Sequence, residues 1–354
     1  MEGVTPLESG TAVEGPQTAL SFAERFPYYR SFPFAWYFAC YSEDLPAGGV
    51  RALRYLARDL VVWRDEEGTP HVIDAYCPHL GAHLGYGGRV EGCELVCPYH
   101  WWRYDGDGNN CGIPYSTRVN KRAKVKTYPT IDRNGMVMFW YHPTGEPPHW
   151  EIPEVPEFRD AAFEPYVKGK WRIRTSWQEM AENGPDYIHL RTVHGAEEVP
   201  ELESWETDGH VVRLRSRQVF RTPKGPTEGR IDVDSIGPGF AVARFSGIVD
   251  TTMVAAAVPI DFELLDSHKA YLVRRSDGDN GAASRVGAAL VADLQKQMRE
   301  DMVIWENKIF HERPALADTD GPVMTFRTWA AQFYVDGDPV TEAALRRAGV
   351  PSPA

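Results

Sequence analysis

The chain has 354 residues, enough for two domains, since a single hydrophobic core rarely keeps growing to that length. Its hydrophobic fraction of 43% and charged fraction of 25% are ordinary for a globular protein, and a net charge of −12 leaves no positive field to hold nucleic acid or an anionic membrane. Five cysteines make no disulfide framework, the N-terminus lacks a basic stretch followed by an apolar core, and no run of about 18 apolar residues occurs, so the expectation is a cytoplasmic protein without a membrane span.

Residues 1–21 are small and polar without a period, and are expected to form a loose tail. From there to about 150 the pattern is that of a small all-β domain. Phe32, Phe34, Trp36, Phe38 and Cys40 alternate as one face of a strand would. The intervening Ala35, Tyr37 and Ala39 are hardly polar, so this strand should be covered on both sides. Further strands are expected at 51–55, 60–64, 71–76 and 136–141, with turns at AGG and DEEG between the first of them.

Two Gly-rich loops follow the third of these strands. One carries Cys77 and His79 as Cys-x-His, the other Cys97 and His100 as Cys-x2-His. A [2Fe-2S] cluster of Rieske type needs two thiolates on one iron and two imidazoles on the other, which two tips each bearing one Cys and one His can supply. A structural zinc site would pair like ligands, Cys with Cys and His with His, and here each pair is mixed. Pro78, Pro98, Gly81, Gly85, Gly87 and Gly88 build tight turns around these side chains. Cys93 and Cys111 fall outside the spacing and read as small buried residues, His83 as a loop residue.

Residues 118–126, RVNKRAKVK, hold five basic residues and no acidic one. They read either as an edge strand, with Ala123 and Val125 inward and Lys124 and Lys126 in solvent, or as a docking patch for an acidic electron donor. Residues 142–158 hold five prolines and read as the linker, with a domain boundary near 150.

The second half, 151–340, mixes elements. A strand is expected at 171–176, then helix over 177–191 apart from an interruption at Gly184-Pro185. Strands follow at 210–220, 229–233, 239–245, 251–259 and 269–275. Residues 284–310 set Leu290, Leu294, Met298, Met302 and Trp305 at helical spacing. Strands curled around a long C-terminal helix make a grip-like α+β domain enclosing an apolar cavity, and 341–354 is expected to be a second tail.

Within ENGPDYIHLRTVH, residues 182–194, Asp186, His189 and His194 stand at spacings of three and five. Asp186 and His189 would share a helix face, about 60° apart at 100° per residue. His194 would lie roughly 140° round from His189 on an unbroken helix, so the helix must widen or end between them, as Thr192-Val193 and Gly195 allow. Two imidazoles and a carboxylate on one face of an Fe(II) leave positions open for O2 and substrate. The carboxylate must come from elsewhere. Asp301 on the long helix is the first choice, with Asp293, Glu300 and Glu306 as rivals. Asn183 reads either as a partner to the iron ligands or as a helix cap.

The two motifs together resemble the large subunits of Rieske non-haem iron oxygenases, over about residues 25–340. The EN-x2-D-x2-H-x4-H pattern is that family's iron motif. The chain is most similar to the oxygenase components of 3-ketosteroid 9α-hydroxylases and to cholesterol 7-desaturases, through CPYHWWRYDGDG, IPEVPEF, DMVIWENKIF and FRTWAAQFYVD. The resemblance implies an N-terminal Rieske domain and a C-terminal helix-grip domain of START type. It implies a [2Fe-2S] cluster on Cys77, His79, Cys97 and His100, and a mononuclear Fe(II) on His189, His194 and Asp301, the Asp that opens the D-x2-I-W segment. Asp186 matches the family's bridging carboxylate, and a homotrimer passing electrons between neighbours is implied. The implied activity is hydroxylation of a hydrophobic substrate such as a steroid, using O2 and NAD(P)H electrons from a ferredoxin or flavin reductase. That reductase would be separate, since no GxGxxG loop is present here. Desaturation or N- or O-demethylation uses the same metals, and a non-catalytic electron carrier would need only the first half. Leu80 stands where an Arg commonly follows the first cluster His, and residues 200–285, which would line the pocket, carry no match.

Overall fold

The computed structural model describes residues 20–222, 225–275 and 282–347, so nearly all of the expected N-terminal tail lies outside the described residues. A short helix, α1 (Phe22–Arg25), is closed by Ser21 and Glu24, each side chain bonding to the other's backbone. Eleven strands follow: β1 (Ala35–Tyr41), β2 (Val50–Tyr55), β3 (Arg58–Arg64), β4 (Pro70–Asp74), β5 (Arg89–Glu91), β6 (Glu94–Val96), β7 (Arg103–Tyr104), β8 (Asn110–Gly112), β9 (Thr127–Tyr128), β10 (Thr130–Arg133) and β11 (Met136–Tyr141). They form three sheets, ordered β1-β11-β10, β2-β3-β4-β9 and β5-β6-β7-β8. All seven residues of β1 are buried, as its two apolar faces require. The third sheet carries the two Gly-rich loops.

The basic stretch 118–126 is not a strand; its one β-bridge joins Lys124 to Asn109. Its side chains nevertheless alternate as an edge would, with Ala123 and Val125 buried and Lys124 and Lys126 exposed. Cys93 and Cys111 correct the sequence reading, because both are exposed. Cys93 sits in the β5–β6 turn just after Gly92. Cys111 takes the outward position of β8 while its neighbour Asn110 points in.

The proline-rich segment is a packed strap rather than a free spacer. Trp150, Ile152 and Val155 are buried in the main core, and the Trp36 indole N–H donates to the Trp150 carbonyl at 2.8 Å. That core runs without a break from β1 and β11 into the second half. At the β2–β3 turn Leu56 and Ala57 both hold φ of 55°, a conformation costly for residues with a Cβ. Their N–H groups donate to Pro259 and Ile260 of the second half at 2.7 and 2.8 Å, which repays the strain.

The second half begins with β12 (Val167–Ile173), α2 (Trp177–Ala181) and α3 (His189–Thr192). Then come β13 (Glu201–Asp208), β14 (Val211–Thr222), β15 (Gly225–Ile236), β16 (Phe240–Ser246), β17 (Thr251–Pro259) and β18 (Leu265–Val273). They make a seven-stranded antiparallel sheet ordered β12-β18-β17-β16-β15-β14-β13. The long helix α4 (Ala282–Trp305) packs on it through Val291, Met298 and Trp305, giving the expected grip. Strand β13, sequence ELESWETD, escaped the sequence reading because an edge strand tolerates charge on nearly every residue. Two further helices, α5 (Val323–Ala331) and α6 (Pro339–Arg347), were not anticipated. Helix α6 runs into the expected C-terminal tail and buries Thr341 and Leu345, so that segment is docked as far as Arg347.

Candidate functional site

Cys77 and Cys97 lie buried at the tips of the two loops of the third sheet. Each loop folds back on its cysteine: Cys77 accepts from Gly81 N–H, and Cys97 accepts from Trp101 N–H while donating to the Trp102 carbonyl. The two sulfurs share a hydrogen bond, which pulls the Cys77 thiol down to about 6 and pushes Cys97 up. The Tyr104 hydroxyl, 3.1 Å from Cys77 Sγ, adds to the first effect. On the outer side the His79 and His100 rings meet edge to face with centroids 4.7 Å apart, and His79 stacks on Trp102 at 4.3 Å. Paired sulfurs inside and paired imidazoles outside are the donor set a Rieske cluster requires. Around these tips Leu80, Tyr86, Tyr99, Trp101 and Tyr115 are all exposed, forming an apolar rim.

The second centre is built where α3 fails to continue. Asp186 lies before the helix rather than on it, so it shares no continuous helix face with His189, against the sequence expectation. What Asp186 supplies is its backbone carbonyl, which accepts from Nδ1 of His189 and leaves Nε2 as that ring's free donor atom. After Thr192 the chain widens: His194 N–H reaches back five residues to His189, and Ala196 N–H six residues to Leu190. Gly195, at φ of 73°, closes the turn. This widening is what brings His194 beside His189, their ring centroids 5.2 Å apart.

Helix α4 presents the carboxylates. Asp301 Oδ1 lies 3.1 Å from His194 Nε2, and the donor atoms of His189, His194 and Asp301 all fall within 4.8 Å of one another. The rivals are occupied elsewhere: Asp293 accepts from Gln297, Glu306 from the Arg174 N–H, and Glu300 sits 3.0 Å from His194 Nδ1. Burial disfavours a charged His194, but hydrogen bonds to Asp301 and Glu300 outweigh it and raise its pKa. The Asn183 amide nitrogen stands 3.4 Å from His189 Nε2, and its oxygen accepts from the Trp305 indole at 3.0 Å. Two imidazoles and one carboxylate on one side of a common point fit an Fe(II) with open positions. The role of Glu300 had no signal in the sequence beyond its adjacency to Asp301.

Those open positions face a cavity of about 310 Å³ between α4 and the concave side of the large sheet. Leu214, Val233, Phe245 and Met253 line it from the sheet and Leu294 and Met298 from the helix. This is the stretch in which the sequence showed strands but no lining.

Residues 35–129 match the Rieske [2Fe-2S] domain family, and residues 139–334 match the 3-ketosteroid 9alpha-hydroxylase C-terminal domain family. A cholesterol 7-desaturase of Bombyx mori is 30% identical over 92% of this chain and 74% of its own. The oxygenase component of a 3-ketosteroid-9-alpha-monooxygenase from Rhodococcus rhodochrous is 28% identical over 89% of this chain and 87% of its own. Among solved structures, dicamba monooxygenase bound to dicamba superposes with a TM-score of 0.68 over 86% of this chain and 97% of its own, at 18% identity, a likeness of fold.

Proposed function

We propose, from the premise that this chain belongs to the Rieske oxygenases whose catalytic half is a 3-ketosteroid 9α-hydroxylase C-terminal domain, that it hydroxylates a hydrophobic substrate of steroid size. It is the terminal oxygenase component of its system, an oxidoreductase acting with O2, and draws electrons through a separate partner. The finer reading makes that partner a ferredoxin or flavin reductase fed by NAD(P)H. The observation that carries the proposal is the convergence of His189, His194 and Asp301 on the wall of an apolar cavity.

In this reading Cys77, Cys97, His79 and His100 hold the [2Fe-2S] cluster, and His189, His194 and Asp301 hold the Fe(II). Bound there, the cluster supplies electrons singly and the Fe(II) supplies the centre at which O2 is activated. The chain's other residues position. Glu300 accepts the Nδ1 proton of His194, so that Nε2 is the free donor, and the Asp186 carbonyl does the same for His189. Asn183, held by Trp305, fixes the approach to His189. The cavity orients substrate by shape and keeps water from the reacting atoms.

The exposed rim of Leu80, Tyr86, Tyr99, Trp101 and Tyr115 supports a ring of three subunits, in which each Rieske domain docks on its neighbour's catalytic half. A cytoplasmic home rests on the three cysteines outside the cluster, two of them exposed, which a reducing compartment preserves. The test is a screen of sterols, bile acids and aromatic ethers for substrate-stimulated O2 uptake with a surrogate reductase. A new hydroxyl in the product supports hydroxylation. A new double bond assigns the desaturase activity that the Bombyx mori relative's name records.

A further inference from the structure

Lys269 lies in β18, paired with Gly169 of β12 on one side and Ala255 of β17 on the other, and its side chain lines the cavity. The row continues to Ala241 of β16, also on the lining, so the floor beside the lysine is made of residues too small to fill it. Among the described residues the ammonium makes no ion pair and no hydrogen bond. Its nearest interaction is with the Trp171 ring, 5.8 Å from Nζ to the centroid. The more distant charge of Asp301 opposes its burial only in part, and the amine is pushed down to about 8. At neutral pH it is still mostly a cation.

Lys269 is partly buried, its side chain opening on the cavity; an ammonium desolvated there without a counterion is costly, and proteins keep one where something else completes it. The open floor places the missing partner in the cavity, and the partner that best offsets a buried positive charge is an anion. We propose that Lys269 pairs with a carboxylate of the substrate, so that the cavity takes a hydrophobic acid in preference to the same skeleton without charge. This rests on reading the cavity as the substrate site.

The experiment uses the iron-loaded protein with cholanic acid and its methyl ester, which share a steroid skeleton and a carbonyl and differ in charge. Binding is followed by tryptophan fluorescence in the wild type and in Lys269→Met, which keeps the length and apolar stem of the side chain. The wild type should bind the acid at least about tenfold more tightly than the ester, the worth of a hydrogen bond to a charged group, and Lys269→Met should lose that preference. Removing an unpaired, partly desolvated charge should not lower the thermal midpoint, which checks that the variant is folded. Equal binding of acid and ester by the wild type, failure of the wild type to bind the acid, or a preference that survives in Lys269→Met overturns the proposal. Substrate-stimulated O2 uptake, measured in parallel, tests the oxygenase reading separately. Lysine-dependent binding of the acid without uptake on any ligand would sink that reading and leave the carboxylate site standing.

Discussion

A carboxylate oxygen of Glu300 lies 3.0 Å from Nδ1 of His194, on the side of the ring turned away from Asp301. Glu300 is itself held by Lys296 at 2.8 Å, one turn earlier on the same helix. On the proposed reading adjacent residues of α4 do different work, Asp301 offering an oxygen to the metal position and Glu300 fixing the imidazole that shares it. Asp301→Ala should bring iron content from about three to about two per chain, since only the cluster's pair remains. Glu300→Gln should keep the third iron but weaken it by about 10–100-fold, the usual effect of losing a partner behind a metal-bound histidine. Iron analysis after dialysis against a graded chelator measures both. Full retention in Asp301→Ala, with loss in Asp293→Ala or Glu306→Ala, would reassign the ligand.

Cys77→Ser or His100→Ala should abolish the cluster spectrum while leaving the second half folded. The cysteines belong to a small hydrophobic cluster with Val61, Trp63, Leu84, Leu95 and Tyr104, apart from the main core that joins the two halves. Visible absorption reads the cluster, and far-ultraviolet circular dichroism with iron analysis reads the rest. An intact Rieske spectrum in either variant would be incompatible with the assigned ligands.

The sequence carried the parts of this molecule whose chemistry is local. Cys-x-His and Cys-x2-His point to their own cluster, and strands such as β1 and β17 show as short, almost wholly apolar runs. The unwinding between His189 and His194 was legible too, because five residues cannot bring two rings together on a regular helix. What stayed hidden depends on contacts between distant segments. Lys269 opens a strand expected at 269–275, but nothing in the sequence aims it at a cavity; that follows only once β18 pairs between β12 and β17 beneath α4. Cys93 and Cys111 were placed inside on residue type alone, and hairpin geometry turned both outward. Asp186 and His189 were put on one helix face by spacing, yet Gly184-Pro185 delays the helix until His189.

The Arg58–Asp338 pair pins the C-terminal segment to the N-terminal domain. Both side chains are only 5% exposed, and the Tyr141 hydroxyl donates to the same carboxylate at 2.9 Å. Burial pushes the Asp338 carboxyl up, but hydrogen bonds from Thr341 and Arg58 outweigh it and hold it below its usual range. A carboxyl lowered in the folded state stabilises above its unfolded pKa of about 3.9, and that contribution fades as pH falls through the lower folded value. Asp338→Ala leaves Arg58 buried without its partner and should cost about 3–5 kcal/mol in urea unfolding at pH 7. The gap from wild type should narrow below about pH 4. A change under about 1 kcal/mol at pH 7, or a gap constant with pH, would contradict the account.

Lys121 and Lys124 are exposed on a stretch whose backbone is tied to Gly108, Asn110 and Asp74, so a fixed backbone holds both ammonium groups out where a donor could meet them. Lys121→Glu with Lys124→Glu should slow electron delivery from an acidic donor, and more at low salt than at high, because the Debye length shrinks from about 30 Å at 0.01 M to about 3 Å at 1 M. Stopped-flow reduction of the cluster across ionic strengths is the measurement. Equal slowing at all salt concentrations, or none, would return the stretch to a structural role.

Asp186 meets His189 with two groups, one close and one at longer range. Its carbonyl orients His189, while its carboxylate lies 4.0 Å from the same Nδ1 with its side chain 48% exposed. An exposed carboxylate beside a candidate iron histidine is placed to accept from a group that arrives from outside, and in a head-to-tail ring that group is a cluster histidine of the next subunit, His100. Asp186→Ala removes the carboxylate and keeps the carbonyl, so iron content, cluster spectrum and oligomeric state should persist. Turnover should fall, with reoxidation of the reduced cluster by O2 and substrate becoming the slow step. Single-turnover kinetics on the fully loaded variant decides the matter. Near-normal reoxidation would show that the carboxylate takes no part in the electron path, and a wild type fully active as a monomer would remove the ring that gives it a neighbour.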